Sequence, residues 1–179
     1  MAIITSGCIG LPTNEILYKD SDVEVIRHES FVIMADSGWI SFELTVLGHR
    51  YRLADWIDAR TFYCHDCEGF VRTPDGSAIV FIAESQHKPQ AGMLTGVVHV
   101  IDLKSESDKE VPVAFKCRGE DFHILVQSYN DKKIVLSLDS NSTAVSGYNY
   151  NAYFSITLEI NLDTKQVTEI DHTNNSVLK

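Results

Sequence analysis

The spacing of the apolar residues constrains this chain more than any other feature. Recurrence every three to four residues, the mark of an amphipathic helix, is nearly absent. Apolar residues come instead in short runs rich in Val, Ile, Phe and Tyr, with Gly, Asn, Asp and Ser between them. These runs are Val23–Ile26, Phe31–Ala35, Ile40–Leu47, Ile79–Ala83, Val97–Leu103, Phe122–Tyr129, Ile134–Leu138 and Tyr153–Leu162. Turns are expected at Ser37-Gly38, Gly48-His49, Pro74-Asp75-Gly76 and Asn130-Asp131, where Asn, Asp and Gly tolerate the positive φ of tight hairpins. At most one or two helical turns fit Leu53–Arg60, around Trp56 and Ile57. The pattern predicts an all-β chain, an antiparallel meander.

The meander repeats. Ile79-Val-Phe-Ile-Ala-Glu-Ser85 is similar to Ile134-Val-Leu-Ser-Leu-Asp-Ser140 at an offset of 55. Ile101, Leu103 and Val111 match Ile160, Leu162 and Ile170 at an offset of 59, the extra residues falling in the intervening loop. A looser copy precedes them, which gives three four-stranded units at about 21–55, 60–116 and 120–172 within one expected domain. Strand alternation puts Val97, His99, Ile101 and Leu103 on one face, aligned with Ile156, Leu158, Ile160 and Leu162, and this set is expected to be core. Thr157, Glu159 and Asn161 form the polar opposite face.

Thr73-Pro-Asp-Gly-Ser-Ala-Ile-Val-Phe81, followed by Val98-His-Val-Ile-Asp-Leu103, resembles the blade signature of WD-repeat-like β-propellers. The resemblance covers about residues 70–172 and implies blades. Propellers close with about 4–8 of them, so three units imply a partial, half-propeller-like array; a sandwich built from the same meander is the other architecture open to this sequence.

Charge narrows the partners. The chain has 25 Asp+Glu against 15 Lys+Arg, a net charge of −10. An acidic surface repels phosphate backbones, so nucleic acid is not an expected partner. No apolar run reaches the roughly 20 residues of a membrane helix, and Met1–Leu11 lacks the basic flank of a secretory signal. The four cysteines, Cys8, Cys64, Cys67 and Cys117, fit free thiols in a reducing compartment, and a cytoplasmic location is expected.

Catalytic constellations are not evident. Cys64-His-Asp-Cys67 has metal-knuckle spacing, but no second pair completes a zinc site, and in a strand the two thiols would diverge. Histidines 28, 49, 65, 87, 99, 123 and 172 make no ligand pair along the sequence, and His99 reads as structural because Asp102 falls on the opposite face. Nucleophile elbows, phosphate loops and calcium loops are missing. Neither an enzyme, a metal nor a cofactor is expected.

Two long loops, Glu84–Gly96 and Asp139–Asn151, occupy equivalent places and should share one rim. The second carries Tyr148 and Tyr150 among Ser, Asn and Gly, a composition typical of recognition surfaces. Asp66, Glu68, Asp139, Tyr148 and Tyr150 are the candidate partner-binding residues. The expected function is a non-catalytic acidic protein that neutralises a basic protein partner. By analogy of class, its specific form is a bacterial immunity protein covering the active site of a nuclease or RNase toxin. The alternatives are a propeller-like scaffold completed by a second copy, as a homodimer, and an all-β hydrolase with a dispersed site.

Overall fold

A computed structural model describes residues 12–32, 37–57, 69–85, 93–116, 122–143 and 150–178; at 12, 30–32, 37–39, 140–143, 150–154 and 173–178 it describes the backbone alone. The described residues form twelve strands and no helix. All pairing is between sequence neighbours and antiparallel, which gives three four-stranded meanders, none closed on itself. This all-β arrangement is compatible with blade-like repeats. The chain divides into two compact units, Met1–Arg52 and Leu53–Lys179.

The first unit holds β1 (Pro12–Lys19), β2 (Val23–Val32), β3 (Ser37–Val46) and β4 (His49–Arg52). Its buried stripe pairs Val23 with Val46 and Val25 with Leu44. Farther along β2 that face becomes charged, with Arg27 held between Glu15 and Glu29. The β3–β4 hairpin turns at Leu47 and Gly48, both at positive φ, as a two-residue turn matched to strand twist requires. Two sequence expectations change here. Val23–Ile26 and Phe31–Ala35 do not form separate strands, because β2 runs unbroken from Val23 to Val32 through His28 and Glu29. Ser37-Gly38 is not a turn but the start of β3, paired with Val32 and Phe31.

The second unit holds a middle sheet, β5 (Phe70–Arg72), β6 (Ala78–Glu84), β7 (Met93–Asp102) and β8 (Ser107–Lys116). Its C-terminal sheet is β9 (Phe122–Asn130), β10 (Lys133–Thr143), β11 (Tyr150–Asn161) and β12 (Val167–Leu178). The segment 53–57 fastens these two sheets together. Ala54 N donates to Ile82 O at 3.0 Å, and Phe122 N donates to Trp56 O at 2.9 Å. Leu53 bridges to Ala83 and Ile57 to Phe122. No helix forms at the described part of Leu53–Arg60; the chain makes one tight turn, closed by Ile57 N on Ala54 O. Trp56 fills the seam, edge-on to Phe115 and Phe122 with centroids 5.4 and 5.8 Å away.

The repeat and the core have opposite parity. Both hairpins begin at equivalent places, Ala78 facing Asp102 and Lys133 facing Asn161, which reproduces the sequence offsets. Yet the shared core takes Ala78, Val80, Ile82, Val98 and Val100 from the middle sheet, and Ile134, Leu136, Leu138, Ile156, Leu158 and Ile160 from the other. Equivalent faces therefore do not meet; the front of one sheet packs on the back of the next. A two-fold sandwich would join like faces.

The expected core face of β11 is buried from Ile156 to Leu162. On β7 both faces are covered. Ile101 and His99 are buried as expected, Val97 and Leu103 are half-buried, and Val98 and Val100 on the other face join the shared core. The match of Val111 with Ile170 does not extend to burial. β12 carries a bulge in which Asp171 faces Thr157 and Glu169 faces Leu158, so Ile170 is the extra residue and lies 52% exposed.

Candidate functional site

The rim where β6 ends and β7 begins carries an open cleft within the second unit. Its lining combines apolar Trp56, Met93 and Leu94 with polar Asp55, Glu84 and Ser85. The indole is fixed from behind, its Nε1 donating to Thr95 O at 3.0 Å. Gly96 makes that seating possible, since a Cβ there would lie 2.5 Å from Ile82 Cγ2 and 3.2 Å from Trp56 Cζ2. Apolar Met93 and Leu94 beside the Asp55 and Glu84 carboxylates form a lining of mixed character that would suit a long basic side chain.

A second cleft lies at the opposite ends of the strands, bordered by Asp102, Lys104, Ser107, Lys109, Tyr129 and Asp131. Its charges serve the turns around it. The Asp102 carboxylate accepts from Lys104 N, Ser105 N and Ser105 Oγ, and the Ser105 bonds above all hold its acidity below the usual carboxylate range. Lys109 Nζ donates to Asp131 O and lies 3.6 Å from an Asp163 carboxylate oxygen. Partial burial, with Asp102, Asp131 and Asp75 nearby, pushes the Tyr129 phenol above its ordinary value. This end of the unit is built for turn structure.

On the middle sheet, β7 and β8 bring together three groups that sequence reading kept apart. His99 Nδ1 lies 2.8 Å from Asp108 Oδ2, and the imidazole stacks on Phe81 with the ring planes 5° apart. Glu110 is the cross-strand partner of His99 itself, and Asp108 that of Ile101. The carboxylate partner of this histidine therefore comes from the adjacent strand, which a search along one strand does not find.

The nominated residues fare unevenly. Asp66, Glu68 and Tyr148 lie outside the described residues, as do all four cysteines. Tyr150 opens β11, paired with Leu178, and its side chain is not described. Asp139 belongs to strand β10 and not to a loop, paired with His123 and Ser155 and half-buried. β10 runs on to Thr143 and β11 starts at Tyr150, which shortens the connection expected over Asp139–Asn151. Asp55, Trp56 and Glu84 were missed as a group; the one local signal was a tryptophan beside an aspartate in a segment without strand pattern. No family model, curated protein or solved structure matches the chain.

Proposed function

We propose that the chain is a non-catalytic acidic binding protein whose partner is a basic protein. In its specific form it is an immunity protein that covers the active site of a bacterial nuclease or RNase toxin in the cytoplasm. The observation that carries this reading is the cleft at the β6–β7 rim, lined by Asp55 and Glu84 together with Met93 and Leu94. Set on a chain of net charge −10, such a cleft accepts a lysine or arginine of a cationic surface. Carboxylates then stand where the toxin would hold substrate phosphates. The blade-like repeat, read as a partial propeller of the WD-repeat-like kind, supplies the rigid strand ends on which the rim is mounted.

The test is co-expression with a basic cytotoxic domain encoded beside this chain, followed by affinity capture and an RNA-cleavage assay. Capture and inhibition are expected together, with affinity falling as salt rises from about 50 to 200 mM, because exposed charges are screened. Asp55→Asn with Glu84→Gln should weaken binding about tenfold or more, since a rim charge works chiefly through association rate and a desolvated one through dissociation. Binding that ignores both salt and this double variant would refute the electrostatic reading.

A further inference from the structure

We propose that His99, Asp108 and Glu110 form a binding site for a divalent first-row cation on the middle sheet. Their donor atoms, one imidazole nitrogen and two carboxylate oxygens, all lie within 4.8 Å of one another. Bonds of about 2.0–2.2 Å to a single ion place its donors roughly 3 Å apart, so small rotamer shifts close the set around one centre. The His99 Nδ1 to Asp108 Oδ2 separation of 2.8 Å is already near that spacing.

Strand geometry makes the arrangement. Asp108 and Glu110 are two residues apart on β8 and so project to one face, and the β7–β8 register sets Glu110 directly opposite His99. The imidazole is buried, at 6% exposure, and its plane is held by Phe81, whereas Glu110 is exposed and the Asp108 side chain is 23% exposed. A fixed nitrogen donor at the base with two adjustable oxygen donors toward solvent leaves further coordination positions open to water or to an outside ligand. One nitrogen and two hard oxygens suit zinc or manganese, and nothing in the set requires thiolate.

The repeat supplies a comparison for these positions, although in the C-terminal sheet they face the shared core. At the same offset of 59, the C-terminal sheet places Leu158, Val167 and Glu169, with the same cross-strand partnering: Leu158 faces Glu169 and Ile160 faces Val167. The same strand positions are thus built with Leu and Val where the middle sheet has His99 and Asp108. His99 already has a hydrogen-bond partner in Asp108, and a bound cation would exchange that bond for coordination by both groups. The proposal is independent of the basic partner.

The experiment titrates the full chain with manganese chloride, which thiols bind poorly, while following His99 ring resonances by NMR; a parallel calorimetric titration uses zinc chloride. Saturable broadening of the His99 signals at a stoichiometry of about one is expected. Asp108→Asn and Glu110→Gln, both at exposed positions, should each weaken manganese and zinc binding about tenfold or more while leaving far-UV circular dichroism unchanged. His99→Leu, which copies the sibling position, should abolish manganese binding. Unsaturable broadening, or binding indifferent to Asp108→Asn and Glu110→Gln, would overturn the site. So would zinc binding that persists undiminished in all three variants, because the cysteines would then be its ligands.

Discussion

Asp75 shows how one exposed side chain organises a hairpin. Its carboxylate accepts from Thr73 Oγ1 at 2.7 Å and from Ser77 N and Oγ, and these bonds, Thr73 first, lower its pKa below 3.8. Asp102 is lowered likewise, chiefly by Ser105. A carboxylate that is more acidic in the folded state adds stability that is complete above its unfolded value, near 3.8 for both groups. That stability is lost as pH falls below 3.8 through the lowered folded values. Urea unfolding of the Asp75→Asn, Asp102→Asn double variant should therefore show a deficit against wild type at pH 6 that narrows as pH falls below 3.8. An unchanged deficit across that range would assign the effect to something other than ionisation. Tyr129 works at the other extreme: its raised pKa favours the neutral phenol in the fold, so its contribution persists below about 10 and fades as pH climbs through the folded value. Thr73 is the buried member of the Asp75 turn, its Oγ1 accepting from Ala78 N at 3.0 Å. Thr73→Val strands that amide and should cost about 1–3 kcal/mol by chemical denaturation.

Strands and their connection carry the next level. The segment 53–57 has no strand or helix of its own, yet it hydrogen-bonds to β6 on one side and β9 on the other and inserts Trp56 between the sheets. Trp56→Ala should destabilise the second unit by about 3–5 kcal/mol, as large aromatic deletions from a core do. Gly96→Ala tests the same seam from β7: the added methyl overlaps Ile82 and crowds Trp56, at a cost of about 1–3 kcal/mol seen as a lower thermal midpoint. These elements also show what was legible in the sequence. Strand identity was legible, because Ile79–Ala83 and Ile134–Leu138 are runs that no helix pattern explains, and their offset located equivalent hairpins. Three features were not. β1 carries polar residues at most positions, so its partnership with β2 is set by register and not by its own apolar pattern. The bulge at Ile170 shifts one residue out of a ladder without any composition signal. The neighbours of His99 lie on β8, and a cross-strand pair emerges only once register is known.

At the scale of the molecule, front-to-back stacking raises the question of where the array stops. A stack of this kind has no internal two-fold, so a face able to dock one sheet can in principle dock another. The face of the C-terminal sheet turned away from the shared core is equivalent to the face by which the middle sheet docks. Where the middle sheet has Ile82, Val98 and Val100, the C-terminal sheet has Ser137, Thr157 and Glu159, at the same offsets of 55 and 59. Ser137 and Thr157 bond to each other at 3.1 Å, Gln127 Nε2 donates to Ser137 Oγ, and Glu159 pairs with Lys133. Ser137 and Thr157, buried and satisfied within their own sheet, gain nothing from a covering sheet, and the Glu159–Lys133 pair would lose hydration to it. A polar face of this kind disfavours docking of a further sheet. Ser137→Ile, Thr157→Val and Glu159→Val together transplant the docking face onto the end. Sedimentation velocity should then show self-association that grows with concentration, because the transplant creates an exposed apolar face. A triple variant that stays folded with the sedimentation coefficient of the wild type would mean that chain termination is set elsewhere, not by the polarity of this face.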